Sequence, residues 1–416
     1  MYFSCEPPGA DWVPRRATNF RESDLLMDSL ATLNAEAADI VNEKLVRPTE
    51  KRPMPAAPQP VAFHYTQTDS FVELLHRLGG TLLVSTYQAN KLLAVRADGQ
   101  GISTLVRTFD KPMGMAVDAR RLAIGTRKEV WLLRNAPDIA AQVEPIGRHD
   151  ACFLPRSSHV TGDMGVHEIA WAGDELWLVS TRFSCLATLD ADYSFVPRWQ
   201  PPFITAVAAE DRCHLNGLTL VDGRPGYVTA LGTTDTRDGW RADKPHGGCI
   251  LDVESGEFVT RRLSMPHSPR WHDGRLWVLE SGTGSLALVD RASGRRDTVA
   301  ELPGFTRGMA IVGPYAFIGL SKIRPTSAMD GVPLAQRRSE LKCGIGVVDL
   351  RSGAAVAFME FQTAVEEIFD VQLLGGIRFP EVVGFQKETL DHTFIVPRDD
   401  ARRLTNHVTG TRSGPR

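Results

Sequence analysis

The chain has 416 residues, of which 43% are hydrophobic, with a formal net charge of -3 and a pI near 6.4. This length suits one large repeat domain or two ordinary domains, and the near-neutral charge gives no electrostatic reason to expect nucleic acid or an anionic membrane as a partner. Because no run of about 18 apolar residues exists, no membrane-spanning helix is expected. Six cysteines without a CxxC pair, and no secretory signal pattern, predict a cytoplasmic protein.

Residues 1–62 are predicted to be an appendage to the main domain. Apolar residues between Glu22 and Leu45 recur at three- and four-residue steps, which predicts an amphipathic helix. Five prolines between Arg47 and Pro60 then predict a stiff linker. We expect this segment to pack on the main domain or on a protein partner. A second, short helix is predicted from Ser70 to Leu78, with Asp69 or Ser70 as its N-cap and glycines at its end.

From Thr81 onward the pattern changes to short apolar strands separated by turn residues. Six segments share one arrangement of glycine, aromatic and turn residues, and they begin about 50 residues apart, at Met113, His167, Asn216, His267, Arg307 and Asp370. The two most alike are residues 166–179, VHEIAWAGDELWLV, and residues 265–279, MPHSPRWHDGRLWVL. Short strands at this spacing are typical of a β-propeller.

We therefore predict an all-β fold, a six-bladed β-propeller over residues 63–397. The strands before Met113 lack an inner strand, and the segment from Asp370 has weak successors, so pairing of N- and C-terminal strands should close the ring. Two insertions, residues 232–248 and 321–342, follow second strands on one rim, where long loops usually cover a site. Residues 398–416 are predicted to be a disordered polar tail.

The inner strand of each blade begins at one mouth of the central channel. The six opening residues, together with His214 two residues before Asn216, are therefore expected to converge on one ring. Three imidazoles, from His167, His214 and His267, suit a transition metal ion such as Zn, Fe or Cu and leave a position open for water or substrate. The sequence thus predicts a three-histidine metal site, against the alternatives of a metal-free ligand site and of histidines that only end strands.

Other polar residues are predicted to surround this site. Arg307 is the candidate anion clamp, and Asp370 is the candidate general base. Substrate-binding residues are predicted to be Met113, Glu168, Asn216, Lys322 and Arg324. Cys185 and Cys213 are candidate thiols near the site, although free buried cysteines are more often inert packing. Asp163 either orients an imidazole or makes a turn, and Glu210 and Asp211 are expected to be loop charges.

Three long motifs resemble a bacterial family of conserved hypothetical proteins of unknown function. They are MPHSPRWHDGRLW at 265–277, EDRCHLNGL at 210–218 and FSCLATLD at 183–190, and the likeness covers roughly residues 70 to 395. In architecture alone the chain looks like propeller lactonases and propeller lyases. The lactonase group implies calcium bound by carboxylates and amides, a set that is not visible here. The peptidyl-hydroxyglycine lyases imply histidines on zinc, which is closer, but no lyase motif matches residue by residue.

Together these patterns predict a metal-dependent enzyme that acts on a small or peptidic, anionic substrate at the channel mouth. Two other functions stay open. The propeller is a non-catalytic platform whose N-terminal helix engages a protein partner, or it is a metal-free sensor of a small ligand. Metal analysis distinguishes the metal-dependent enzyme from the platform, and a thermal-shift screen with metals and small acids tests the sensor.

Overall fold

A computed structural model of the chain describes residues 63–324, 329–384 and 388–396. The chain divides into two units, Met1–Pro60 and Val61–Arg416, and the described residues all fall in the second. The predicted helix at 22–45, the proline-rich linker and the tail at 398–416 lie outside the described residues. No helix within the described ranges has the length and apolar character needed to cross a membrane.

Six sheets, each built on four antiparallel strands, surround a central channel, so the predicted all-β, six-bladed propeller is confirmed. Each sheet is one blade, and its innermost strand lines the channel. The strands of each blade are given from the channel outward. The first blade consists of β25 (Asp370–Leu374), which comes from late in the chain, followed by β2 (Thr81–Thr86), β3 (Lys91–Ala97) and β4 (Ile102–Thr108). The second consists of β5 (Met115–Val117), β6 (Arg121–Gly125), β7 (Glu129–Asn135) and β8 (Ala151–Val160), and the third of β9 (Val166–Ala172), β10 (Glu175–Ser180), β11 (Cys185–Thr188) and β12 (Val196–Trp199).

The other three blades follow the same order. They are β13 (Leu215–Val221), β14 (Arg224–Ala230), β15 (Gly248–Asp252) and β16 (Phe258–Leu263); β17 (Pro266–His272), β18 (Arg275–Glu280), β19 (Ser285–Val289) and β20 (Arg296–Glu301); and β21 (Phe305–Val312), β22 (Tyr315–Ser321), β23 (Gly344–Asp349) and β24 (Ala355–Phe361). Two blades carry a fifth, outermost strand. β1 (Tyr65–Gln67) pairs with β24, and β26 (Pro380–Val382) pairs with β8.

β25, from the C-terminal part of the propeller, lies in the same sheet as β2, β3 and β4 from its N-terminal part. β25 pairs antiparallel with β2, with Asp370 opposite Ser85 and Leu374 opposite Thr81. Both strands are buried, and each would otherwise present a row of unpaired backbone groups. The pairing also fixes Asp370 at the start of the innermost strand of its blade.

Helix α1 (Asp69–Leu78) packs on the outside of the propeller beside β24 and β3. Its N-cap is Thr68, whose hydroxyl accepts a hydrogen bond from the Phe71 amide, so the expected cap at Asp69 or Ser70 is wrong by one or two residues. Gly79 ends the helix with a φ of 64°, a conformation that glycine adopts without strain. The other helices within the described residues are α2 (Pro137–Ala140) and the 3-10 helices Gly239–Asp243, Pro333–Glu340 and Glu388–His392.

Neighbouring blades are joined by apolar side chains between their faces. Trp277 of β18, for example, is 3% exposed and packs with Met309 and Ile318 of the next blade. At the channel the inner strands approach so closely that glycine is required. A Cβ atom on Gly308, whose φ is 77°, would lie 2.6 Å from the Cα atom of Asp370. These contacts fix where the opening side chains of each blade lie.

Candidate functional site

A cavity of about 320 Å³ lies at the end of the channel where the inner strands begin. We call it the mouth cavity. It brings together five residues singled out from the sequence as metal, anion or substrate ligands, namely His167, His214, His267, Arg307 and Met113, and also Arg324 at its rim. Its other walls include Tyr87, Leu231, Trp240, Met265, Phe305, Met329, Glu367 and Phe369.

The ring of His167 is held by a hydroxyl. Thr181 Oγ1 lies 2.7 Å from His167 Nδ1, and the same oxygen donates its proton to the carbonyl of Leu215 at 2.6 Å. A hydroxyl has one proton, so Thr181 accepts the bond from His167. The proton of the neutral imidazole is therefore on Nδ1, and Nε2 carries the lone pair.

His267 and His214 are held in the same way. The Nδ1 atom of His267 lies 3.0 Å from the carbonyl oxygen of Met265, which can only accept, so Nδ1 carries a proton there too. In His214, Nδ1 lies 2.9 Å from both carboxylate oxygens of Asp211. All three rings thus donate through Nδ1 to a protein acceptor. This leaves Nε2 as the nitrogen available to a ligand, which is the usual state of histidines that bind metals.

Burial keeps two of these rings neutral. Desolvation lowers the pKa of His167 and of His267 well below the ordinary value of 6.5, and the positive charge of Arg307 lowers both further. The rings are also close together, since the centroids of His167 and His214 are 4.9 Å apart in an edge-on arrangement. His167 and His267 therefore present lone pairs rather than positive charge to the cavity.

Arg307 supplies the buried positive charge of the mouth cavity. It is 7% exposed, and its guanidinium carbon lies 3.4 Å from the ring centroid of Phe369. Glu367 is the nearest carboxylate, with Oε1 3.6 Å from Nη1, and it also reaches Arg324 at 3.3 Å. Desolvation lowers the pKa of Arg307 to about 10, which still leaves it charged at neutral pH.

The two predicted insertions meet above the cavity. Trp240, in the 3-10 helix of the first insertion, packs against His214 in a tilted arrangement with ring centroids 4.3 Å apart, and its Nε1 donates to Asp211 at 3.0 Å. Met329, from the second insertion, lies in the same apolar cluster as Trp240. Lys244 Nζ donates to the carbonyl of Asp330 at 2.9 Å and so links the two insertions directly.

Four of the predicted residues do not line the mouth cavity. Asn216 is buried and joins two blades, donating to the carbonyl of Pro266 at 3.0 Å. Lys322 follows β22, where its backbone amide donates to the carbonyl of Glu366. Glu168 and Asp370 lie deeper in the channel. Asp370 accepts hydrogen bonds from the backbone amides of Met115 and Val371 and from the Gln372 side chain, so its oxygens are engaged within the protein.

Glu168, Arg270 and Asp370 form what we call the channel network. Arg270 Nη1 lies 2.7 Å from Glu168 Oε1, and Nη2 lies 3.9 Å from Asp370 Oδ1. Burial raises the pKa of Glu168 to about 7 and also raises the pKa of Asp370. With its backbone partners the network contacts the inner strands of all six blades, through Glu168, Arg270, Asp370, Met115, Leu218 and Met309.

A second cavity, of about 640 Å³, opens at the other end of the inner strands. It is lined by Glu168, Trp171, Arg121 and Arg270 among others, and it contains none of the three imidazoles. It is larger than the mouth cavity, but its charged groups are largely paired with one another, as in the ion pair of Arg121 with Asp118 at 2.7 Å. The mouth cavity is therefore the stronger candidate for chemistry.

The remaining sequence expectations have mixed outcomes. Cys185 and Cys213 are fully buried, and burial raises the pKa of each thiol to about 12, so neither supplies a thiolate near neutral pH. Asp163 lines the mouth cavity and pairs with Arg182 at 3.3 Å. Asp211 lies in a loop as expected, but its carboxylate accepts from His214 and so also belongs to the site.

Several site residues had little or no signal in the sequence. Asp211, three residues before His214, was the easiest of them to identify from the sequence, because an acidic residue beside a candidate ligand is a common orienting partner. Thr181 and Trp240 enter from other strands and loops, so only the tertiary structure identifies them. Within the described ranges, no group of three or more His, Cys, Asp or Glu side chains is already arranged to hold a metal ion.

Residues 69–383 match the model of a protein family described as a domain of unknown function, DUF4915. The chain belongs to this family. The match runs from α1 to β26 and leaves out only β1 among the strands of the propeller, in agreement with the resemblance found in the motifs. No curated protein is similar to this DUF4915 protein in sequence.

Solved structures of similar fold are distant from the DUF4915 protein. A nidogen/laminin complex has a TM-score of 0.48 and 11% identity, covering 72% of this chain and 99% of that chain. A protein of unknown function from Bacteroides caccae has a TM-score of 0.47 and 10% identity, covering 71% and 99%. A catalytically inactive virginiamycin B lyase from Staphylococcus aureus, crystallised with quinupristin, has a TM-score of 0.37 and 10% identity, covering 73% and 100%. At these scores none bears on function.

Proposed function

We propose that the mouth cavity is the active site of a metal-dependent enzyme that acts on a small anionic substrate. One observation carries this proposal. His167, His214 and His267 each donate through Nδ1 to a protein acceptor, so that three Nε2 lone pairs remain for one cavity. Nitrogen donors of this kind favour Zn, Fe or Cu over Ca or Mg.

The residues of the cavity divide the work. The metal ion, when bound, supplies a Lewis acid that polarises a substrate oxygen or activates water. Arg307 holds the anionic group of the substrate, because its buried guanidinium has strong interactions with an opposite charge. Trp240 and Met329, from the two insertions, cover the substrate and exclude water. The base that we predicted at Asp370 would have to act from outside the cavity lining.

Elemental analysis of protein purified without an affinity-metal step tests the proposal. We expect close to one equivalent of a transition metal, which is lost in a folded His167→Ala/His267→Ala double variant. His159→Ala is the matched control, because its ring is half-buried and bonds the Ser194 carbonyl outside the cavity. Wild-type protein that contains no transition metal and still binds its ligand would contradict a metal enzyme.

A metal-free active site is the second candidate, because the described side chains are not prearranged around a metal position. In that case His214 is the candidate general base, with Asp211 holding its Nδ1 proton at 2.9 Å. Ligand binding that survives exhaustive treatment with a chelator favours this candidate over the first.

A non-catalytic platform remains a third proposal, for which a partner recovered in pull-downs and lost on deletion of residues 1–62 is the test. We also propose a cytoplasmic location, from the sparse cysteines.

A further inference from the structure

The guanidinium of Arg307 has more hydrogen-bond donors than the protein uses. Among the described residues no acceptor lies within hydrogen-bond distance of it, and the Glu367 oxygen at 3.6 Å is an ion pair only. One face of the group is covered by Phe369. A guanidinium presents five N–H donors in a planar fork that matches a carboxylate. The free edge of Arg307, buried and turned to the mouth cavity, is therefore complementary to a bound anion.

The charge of the cavity limits how negative this anion is. Three arginines, Arg127, Arg307 and Arg324, and two carboxylates, Asp163 and Glu367, line it, so the formal balance is one positive charge. Glu367 also lies between Arg307 and Arg324, within 3.6 Å and 3.3 Å of them. A second negative charge on the ligand would meet the Glu367 carboxylate at close range in a poorly solvated site. The site thus favours a monoanion over a phosphate dianion.

The rest of the wall is apolar. Phe305, Met265 and Trp240 are all buried, and Met113 and Met329 add thioether side chains. Aromatic and methionine side chains pack well against an apolar or aromatic ligand body, and a sugar would lose hydrogen bonds to water there without replacement. A volume of about 320 Å³ is at the small end for a ligand site.

We propose that the ligand of the mouth cavity is a small monocarboxylate with an apolar, aromatic-compatible body, and that Arg307 binds its carboxylate. The inference rests on the proposed function and specifies its substrate class. It extends to the orientation of the ligand, because Phe369 contacts both Arg307 and His167, at 3.4 Å and 5.0 Å between ring or guanidinium centres. The carboxylate is thereby placed beside the His167 imidazole, and the apolar body lies towards Trp240 and Phe305.

Isothermal titration calorimetry with 3-phenylpropionate tests the ligand class on the full-length protein as purified. Two probes of similar shape differ in charge, namely 3-phenylpropanol, which is neutral, and phenyl phosphate, which is mostly dianionic at pH 8. We expect 3-phenylpropionate to bind at least about 10-fold more tightly than either. Equal binding of the alcohol would overturn the role of the anion, and equal or tighter binding of the phosphate would overturn the monoanion.

Variants then locate the site. Arg307→Met should weaken 3-phenylpropionate binding by about 10- to 100-fold, as expected for loss of a charged hydrogen-bond partner. Arg198→Met is the matched control. It removes the same charge outside the mouth cavity, where its side chain is 40% exposed and paired with Glu175, and should change the affinity less than about 3-fold. An Arg307→Met protein that binds like wild type would overturn the assignment.

A further variant keeps the test decisive if Arg307→Met does not fold. Glu367→Gln removes the carboxylate that competes for Arg307, so 3-phenylpropionate should bind several-fold more tightly and the discrimination against phenyl phosphate should shrink. Unchanged or weaker binding of 3-phenylpropionate in this variant would overturn the proposal. The metal content of the same preparations distinguishes failure of the ligand class from failure of the proposed metal-dependent enzyme. A protein that contains metal but does not bind 3-phenylpropionate refutes the ligand class and leaves the metal-dependent enzyme as a proposal.

Discussion

Replacement of Glu168 by glutamine should change how the stability of the protein depends on pH. Burial raises the pKa of this carboxyl from 4.5 to about 7 in the folded protein. The folded state therefore binds the Glu168 proton more tightly than the unfolded state does. The resulting stability is fully present below pH 4.5 and is lost as the pH rises through about 7.

The size of the effect follows from the same two values. A difference of about 2.5 in pKa, at about 1.36 kcal/mol for each unit, corresponds to about 3 kcal/mol. Glutamine at this position stays neutral at every pH and keeps a carbonyl oxygen for Arg270. The free energy of unfolding of wild type, minus that of Glu168→Gln, should thus fall by up to about 3 kcal/mol between pH 4.5 and pH 8, most of it between pH 5 and pH 7.5.

Urea unfolding at several pH values between 5 and 8 measures this difference directly. Asp349→Asn is the control, because the Arg351 side chain lowers the pKa of Asp349 to about 2, so both its folded and unfolded values lie below the range of the experiment. The corresponding difference for this control should be flat from pH 5 to pH 8. Wild-type and Glu168→Gln curves that run parallel over the range would refute the reasoning, and so would a stability difference that grows with pH. Because Asp370 shares Arg270 with Glu168, the curve reports the titration of the network as a whole.

Three further predictions follow from contacts around the channel. Asp211→Asn should weaken Zn²⁺ binding in calorimetry by about 10- to 100-fold, since the carboxylate orients a proposed ligand, and unchanged affinity would contradict that role. Gly308→Ala should lower the free energy of unfolding, measured in urea, by about 2–4 kcal/mol, because φ is positive there and the new Cβ atom would lie 2.6 Å from backbone atoms. Gly101→Ala is the control, because its Cβ atom would meet open space, and it should change the free energy of unfolding by less than about 0.5 kcal/mol. Thr181→Val should lower the free energy of unfolding by about 1–3 kcal/mol in the same assay, because the Leu215 carbonyl loses its hydrogen-bond donor. A loss no larger than that of Gly101→Ala would contradict this hydrogen bond.

The six repeated segments of the sequence begin in or beside the inner strands of the blades, whereas several outer strands carry little signal. β12 and β16 are examples, because their side chains are largely half-buried or exposed and polar residues interrupt their apolar pattern. An outer strand faces solvent at its edge, so burial does not impose the strict alternation on which strand prediction depends. Inner strands are more deeply buried, as in β13 with its sequence LNGLTLV, and their apolar residues and glycines are therefore visible in the sequence.

The same reasoning explains which site residues were found in advance. His167, His267, Arg307 and Met113 were predicted because each begins a repeated segment, and segments that repeat in sequence occupy equivalent places around the axis. Asp370 and Asn216 begin such segments too, yet they do not line the mouth cavity. Their oxygens and amides bond neighbouring strands instead, and a repeat pattern does not reveal which way a side chain turns.

The amino-acid order alone determined that the propeller region of this protein is a ring of repeated four-stranded units, with polar residues of different kinds at their openings. Only the tertiary structure decided that Asp211, Thr181 and Met265 hold the imidazoles through Nδ1, and that the channel carboxylates are separated from them. The physical reason is that burial imposes a local pattern of apolar residues on each strand, whereas hydrogen-bond partners and cavity walls are contributed by segments far apart in sequence.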